Sequence, residues 1–92
     1  MAETLAPTAV DEAIAGTDWT RDGEAIVRDL EFDDFAAAMA HVNVVAEAAE
    51  AANHHPDILV HGWNKVRLTL STHSAGGLTQ ADLDMARTLE AL

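Results

Sequence analysis

Pro56 constrains the fold more sharply than any other residue, because proline disfavours helix at the residue before it. Upstream of it, an aspartate cap and apolar residues at helical spacing predict one long helix over about 33–53. Downstream, the spacing changes to the period of two that is typical of strands. His54 and His55 therefore lie at an element end, where functional residues tend to collect. The predicted core stripe of the helix is Phe35, Met39, Val42, Ala46 and Ala49.

The other segments predict an α+β fold. Thr8-Ala9-Val10-Asp11 has the spacing of a capping box and predicts a short first helix that Gly16 ends. The remaining elements are a hairpin with arms 19–22 and 24–32, strands 57–61 and 66–73, and a helix opened by Thr79-Gln80-Ala81-Asp82. The order αββαββα predicts a four-stranded antiparallel sheet with helices packed on one face. We expect a single domain over 1–92, with 1–7 as a ragged N-terminus.

Composition narrows the possible partners. The formal charge is −11, with one lysine and four arginines, which repels phosphate backbones and anionic membrane surfaces. We therefore expect neither a nucleic acid nor a membrane as a partner. Cysteine is absent, no apolar run approaches the roughly 20 residues of a membrane span, and the start is unlike a signal peptide, so we expect a cytoplasmic protein.

The same charge balance has two interpretations. An acidic, lysine-poor, alanine-rich chain suits a salt-rich cytoplasm, where screening relaxes self-repulsion. It also suits a GC-rich genome and an ordinary solubilising surface. Because a 92-residue chain buries a limited fraction of its surface, an oligomer is expected in either case.

Three histidines and two carboxylates are the candidate functional residues. They are His54, His55 and His73, with Glu50 and Asp82. Imidazole both gives and takes a proton near neutral pH, so the group predicts general acid/base chemistry. A nearby carboxylate can orient an imidazole and favour its charged form.

The spacing of these residues resembles that of the pterin-4a-carbinolamine dehydratase family, also known as the dimerisation cofactor of a hepatocyte homeodomain factor. The pattern is Glu-x-x-x-His-His-Pro, six residues, an aromatic, nine residues, His, eight residues, Asp. Trp19, Phe32-x-x-Phe35 and Asn64-Lys65-Val66 add to the likeness. The positions that fill the pattern are Glu50, His54, His55, Pro56, Trp63, His73 and Asp82.

The resemblance implies a hydro-lyase that removes water from a 4a-hydroxytetrahydropterin in tetrahydropterin recycling. It implies His54, His55 and His73 as catalytic residues, the pterin as substrate and not cofactor, no metal, and a homodimer or homotetramer. Ile58 departs from the family, which often has an aromatic there, so two alternatives are open: stacking on the flat pterin is looser, or Trp63 supplies it. The implied substrate-binding residues are Glu50, Pro56, Trp63, Thr72, Ser74, Ala75 and Asp82.

Other interpretations stay open at this stage. Asp82 could serve only as a helix cap, His73 could simply end a strand, and Trp63 could lie in the core. A non-catalytic dimerisation module of the same fold is an alternative function. A metal site of His54, His55, His73 and a carboxylate is a weaker alternative, because adjacent histidines on an extended segment point apart.

Overall fold

A computed structural model describes residues 3–92. In chain order its elements are α1 (Pro7–Ile14), β1 (Thr20–Asp22), β2 (Ala25–Glu31), α2 (Phe35–Ala52), β3 (Asp57–His61), β4 (Lys65–Leu70), a 3₁₀ helix (His73–Ala75) and α3 (Gln80–Glu90). The predicted αββαββα order is confirmed, and the four strands form one antiparallel sheet.

The sheet has the order β1-β2-β4-β3, which places β4 at its centre and β3 at an edge. Register pairs Ile26 with Leu70 across β2 and β4, and Asp57 with Thr69 across β3 and β4. Alternate side chains of β4 point to the helices and are fully buried: Val66, Leu68 and Leu70. The core therefore lies on one face of the sheet, and the other face carries exposed side chains such as Leu59 and Arg67.

The core stripe of α2 differs from the predicted one. Phe35 is 54% exposed and Ala46 is also exposed, whereas Ala38 and Val45 are fully buried. Val42 and Ala49 belong to both stripes. The helix is so rich in alanine that its apolar pattern fixes the helical period but not which side faces the sheet.

The first helix begins without the predicted capping box. Ala6 is the N-cap, no side chain caps the helix, and Pro7 occupies the first turn, where its missing N–H is not needed. Upstream, where a ragged start was predicted, the Leu5 N–H donates to the Leu78 carbonyl at 2.7 Å, and Leu5 packs on the core. Met1 and Ala2 lie outside the described residues.

The last strand is shorter than predicted. β4 ends at Leu70, and the segment expected to continue it forms a tight loop closed by the Thr72–Gly77 bridge, with the 3₁₀ helix inside it. His73 therefore begins a helical turn and does not end a strand. Within residues 3–92, no helix is both long and apolar enough to cross a membrane.

Candidate active site

The end of α2 sets the position of the histidine pair. Asn53 caps the helix in the left-handed conformation (φ 50°, ψ 40°), which asparagine tolerates better than most residues. The N–H groups of Asn53 and His54 donate back to the last turn, to the carbonyls of Glu50 and Ala49. The chain then leaves the helix at a fixed angle and passes through buried Pro56 into β3.

His54 is paired with Asp82. Its Nε2 lies 2.6 Å from Asp82 Oδ1, and the carboxylate is fully buried. The other oxygen, Oδ2, accepts hydrogen bonds from Thr72 Oγ1 at 2.7 Å and from the Thr79 N–H at 2.9 Å. Asp82 thus caps α3 with one oxygen and holds an imidazole with the other. Asp82 is therefore a helix cap and a hydrogen-bond partner of His54 at once.

His55 is paired with Glu50. Its Nε2 lies 2.5 Å from Glu50 Oε2, and both side chains are exposed. The two residues are five apart across the end of α2, so the left-handed turn at Asn53 is what brings them together. His54 and His55 thus direct their Nε2 atoms toward different carboxylates, as expected for adjacent residues on an extended segment.

His73 lies at the same end of the sheet. β3 begins and β4 ends there, and the 3₁₀ helix that carries exposed His73, Ser74 and Ala75 follows β4 directly. Thr72, next to His73, is tied to Asp82 and so to His54. The three predicted histidines, both carboxylates and the 72–75 segment therefore lie at the same end of the sheet.

Trp63 lies elsewhere in the chain. It occupies the β3–β4 turn at the opposite end of the hairpin, separated from the start of β3 by about 13 Å of strand. It is 60% exposed, so it is not a core residue, and it lies at the other end of the hairpin from His54, His55 and His73. Ile58, at the position where the family often has an aromatic, is half-buried on the edge strand.

The site consists of imidazole–carboxylate pairs. Among residues 3–92, no group of three or more histidine, aspartate or glutamate side chains is placed to hold a metal ion. Each pair joins a group that can donate a proton to a group that accepts one. Such an arrangement can orient an imidazole and support proton transfer.

Two threonines meet beside Asp82, a contact that the sequence did not indicate. Thr72 Oγ1 lies 2.8 Å from Thr79 Oγ1 as well as 2.7 Å from Asp82. The sequence indicated Thr72 as a wall of the substrate site and Thr79 as a helix N-cap. Their side chains in fact meet each other next to the buried carboxylate, a contact that the helix-capping pattern alone does not predict.

Fold and site together define the class: small α+β proteins that carry a histidine site at the end of an antiparallel sheet. Residues 3–92 match the family model described as pterin 4 alpha carbinolamine dehydratase. The chain belongs to the pterin-4a-carbinolamine dehydratase family, which confirms the resemblance noted in the sequence.

Relatives support this membership over nearly the whole chain. A protein of Acidobacterium capsulatum named as a pterin-4-alpha-carbinolamine dehydratase is 52% identical over 89 residues, covering 96% of each chain. One of Cyanothece with the same name is 45% identical over 93 residues, covering 100% of this chain and 95% of its own.

Two solved structures are similar. A transcriptional coactivator/pterin dehydratase from Brucella melitensis superposes with a TM-score of 0.88 at 35% identity, covering 97% of each chain. A pterin dehydratase-like protein described as a RuBisCO assembly factor in the alpha-carboxysome gives a TM-score of 0.67 at 23% identity, covering 83% of this chain and 89% of its own. The second likeness concerns the fold alone.

Proposed function

We propose that this protein dehydrates a 4a-hydroxytetrahydropterin to the quinonoid dihydropterin by histidine acid/base catalysis, in tetrahydropterin recycling. The observation that carries the proposal is the pairing of two imidazoles with two carboxylates, His54 with Asp82 and His55 with Glu50, beside the loop of His73. Relatives named for this activity cover nearly the whole chain.

The reaction requires two proton transfers and no change in oxidation state. The bond between C4a and its hydroxyl breaks, the hydroxyl leaves as water after receiving a proton, and a ring nitrogen loses a proton. An acid and a base must therefore act at separate edges of the ring. Three imidazoles at one end of the sheet supply the acid and the base, and Asp82 and Glu50 hold two of them.

Around them, the 72–75 segment and Pro56 supply walls for the ring. Ser74 and Ala75 lie on the 3₁₀ helix that begins at His73, and Pro56 directly follows the histidine pair. Stacking by Trp63 requires the tryptophan of another subunit, since the residue lies at the far end of its own hairpin.

A conversion assay with a 4a-hydroxypterin tests the proposal. The wild-type protein should accelerate dehydration, and His54→Ala, His55→Ala and His73→Ala should each lower turnover by about 10²-fold or more, as is typical when a general acid or base is lost. His61→Ala is the matched control, because His61 is an exposed histidine of β3 outside the motif. A folded protein without activity would favour the dimerisation module instead.

We also propose that the active species is a homodimer or homotetramer. Two surfaces support this: the exposed side of α2, which includes Ala36, Ala40 and Val44, and β3, an edge strand with Leu59 54% exposed. Small side chains allow another helix to approach closely, and an edge strand offers unpaired backbone groups. We place the protein in the cytoplasm, in line with its acidic, cysteine-free composition.

A further inference from the structure

The hydrogen bonds around Asp82 fix the position of each proton. A backbone N–H can only donate, so the Thr79 N–H donates to Asp82 Oδ2. Thr72 Oγ1 donates to the same oxygen at 2.7 Å, which uses the one proton of that hydroxyl. The Thr79 hydroxyl proton is then available for Thr72 Oγ1, 2.8 Å away, and the Thr72 proton for Asp82 Oδ2. The Thr72 hydroxyl therefore donates to Asp82 and accepts from Thr79.

Asp82 Oδ1 is the oxygen that this closed ring leaves for His54. Asp82 in its ionised form has no proton to donate, so both of its oxygens can only accept. The 2.6 Å contact therefore requires a hydrogen on His54 Nε2. This holds for the neutral Nε2–H tautomer and for the imidazolium alike.

We infer that Thr72 is a positioning residue: through Asp82 it holds His54 with its hydrogen on Nε2, so that Nδ1 is the nitrogen that exchanges a proton with the substrate. The kinetic part of this inference rests on the proposed function, but the proton position does not. Without the Thr72 hydroxyl, Oδ2 keeps only the Thr79 N–H, so the buried carboxylate is free to rotate away from His54. Nε2 then loses the acceptor that holds its hydrogen.

Nitrogen-15 NMR of the ring nitrogens tests the proton position in the ligand-free protein, with the His54 signals assigned by their loss in His54→Gln. At a pH where His54 is neutral, we expect the Nε2–H tautomer. A dominant Nδ1–H tautomer would overturn the inference without any activity being measured.

Substitutions then test the function of Thr72. Thr72→Ser keeps the hydroxyl and should keep the Nε2–H tautomer, whereas Thr72→Val, which is nearly the same size, should give a mixture of tautomers. Thr88→Val is the matched control, because Thr88 is an exposed threonine of α3 whose hydroxyl donates to the Asp84 carbonyl within the same helix. An unchanged tautomer in Thr72→Val would refute the positioning function. If Thr72→Val does not fold, the wild-type and Thr72→Ser spectra still decide the proton position.

Steady-state kinetics separate this inference from the proposed function. We expect Thr72→Val to lower kcat about tenfold, the loss typical of one hydrogen bond to a charged group, with a smaller change in KM. Thr72→Ser should restore kcat. A KM effect alone would mean that Thr72 only contacts substrate and would overturn the inference. If the wild-type protein does not dehydrate a 4a-hydroxypterin, the proposed function fails, while the tautomer result stands.

Discussion

Asp82 shows how a single side chain can serve stability and chemistry together. One oxygen caps α3 and the other holds His54, and the side chain is fully buried among these partners. Because a carboxylate has two oxygens with separate lone pairs, the two roles do not compete. The cap fixes the carboxylate to the start of α3, and the carboxylate in turn holds the imidazole of His54 in one position.

We therefore predict that Asp82→Ala loses stability as well as turnover. The change removes a helix cap and leaves Thr72, Thr79 and His54 without their shared acceptor, which together should lower the free energy of unfolding by about 2 kcal/mol or more. Urea denaturation measures the difference. Asp84→Ala is the control on the same helix, because Asp84 is exposed, and it should change stability by about 0.5 kcal/mol or less. Equal effects of the two substitutions would contradict the shared function of Asp82.

At this scale the sequence indicated the candidate site residues but not how they pair. The spacing of Glu50, His54, His55, His73 and Asp82 was sufficient to single them out. That His54 pairs with Asp82 and His55 with Glu50 depends on the left-handed turn at Asn53, which spacing alone does not specify. Trp63 was placed by motif position, and only the strand register puts it at the far end of the hairpin.

At the scale of elements, α2 packs a titratable side chain, His41, toward the sheet. His41 of α2 is half-buried, its ring centroid lies 5.2 Å from that of Phe32, and its Nε2 is a buried atom without a partner among the described residues. Burial and the nearby Arg28 guanidinium lower the pKa of His41 from its ordinary value. Arg28, the residue that breaks the apolar pattern of β2, reaches the Leu89 carbonyl at the end of α3.

This lowered pKa predicts a loss of stability in mild acid. The unfolded chain takes up a proton at the ordinary histidine value of about 6.5, whereas the folded chain takes it up only at lower pH. Between the two values the unfolded state binds more protons, so the free energy of unfolding falls as pH falls below about 6.5. His41→Gln should show a shallower decline in urea titrations at pH 7.5, 6.5 and 5.5. The exposed-residue control, His61→Gln, should keep the wild-type slope.

The elements were predictable where the chain carries strong local signals. β3 begins and ends at the predicted residues, because Pro56 and Gly62 bound it. Which side of α2 faces the sheet was not predictable, since its many alanines make several sides of the helix equivalent. Loop closure between Thr72 and Gly77 ended β4 early, and that contact involves residues five apart that no strand pattern describes.

For the whole molecule, we predict salt-dependent assembly through the exposed side of α2. With a charge of −11 on 92 residues, repulsion between subunits is strong at low salt and screened at high salt. Light scattering at micromolar protein should give an oligomer in high salt that dissociates in low salt, and Val44→Glu should weaken the oligomer that forms in high salt. Thr88→Glu adds the same charge on α3 as a control. A mass near 9.8 kDa at every salt concentration would refute assembly.

The fluorescence of the two tryptophans can report on two different regions of the molecule. Trp19 is 3% exposed and Trp63 is 60% exposed, so their indoles experience an apolar and an aqueous environment respectively. Trp63→Phe would leave emission from the core alone and follow unfolding, while Trp19→Phe would leave emission from the β3–β4 turn. A blue shift of the Trp63 signal with rising protein concentration would then report burial of that turn between subunits, without any attached dye.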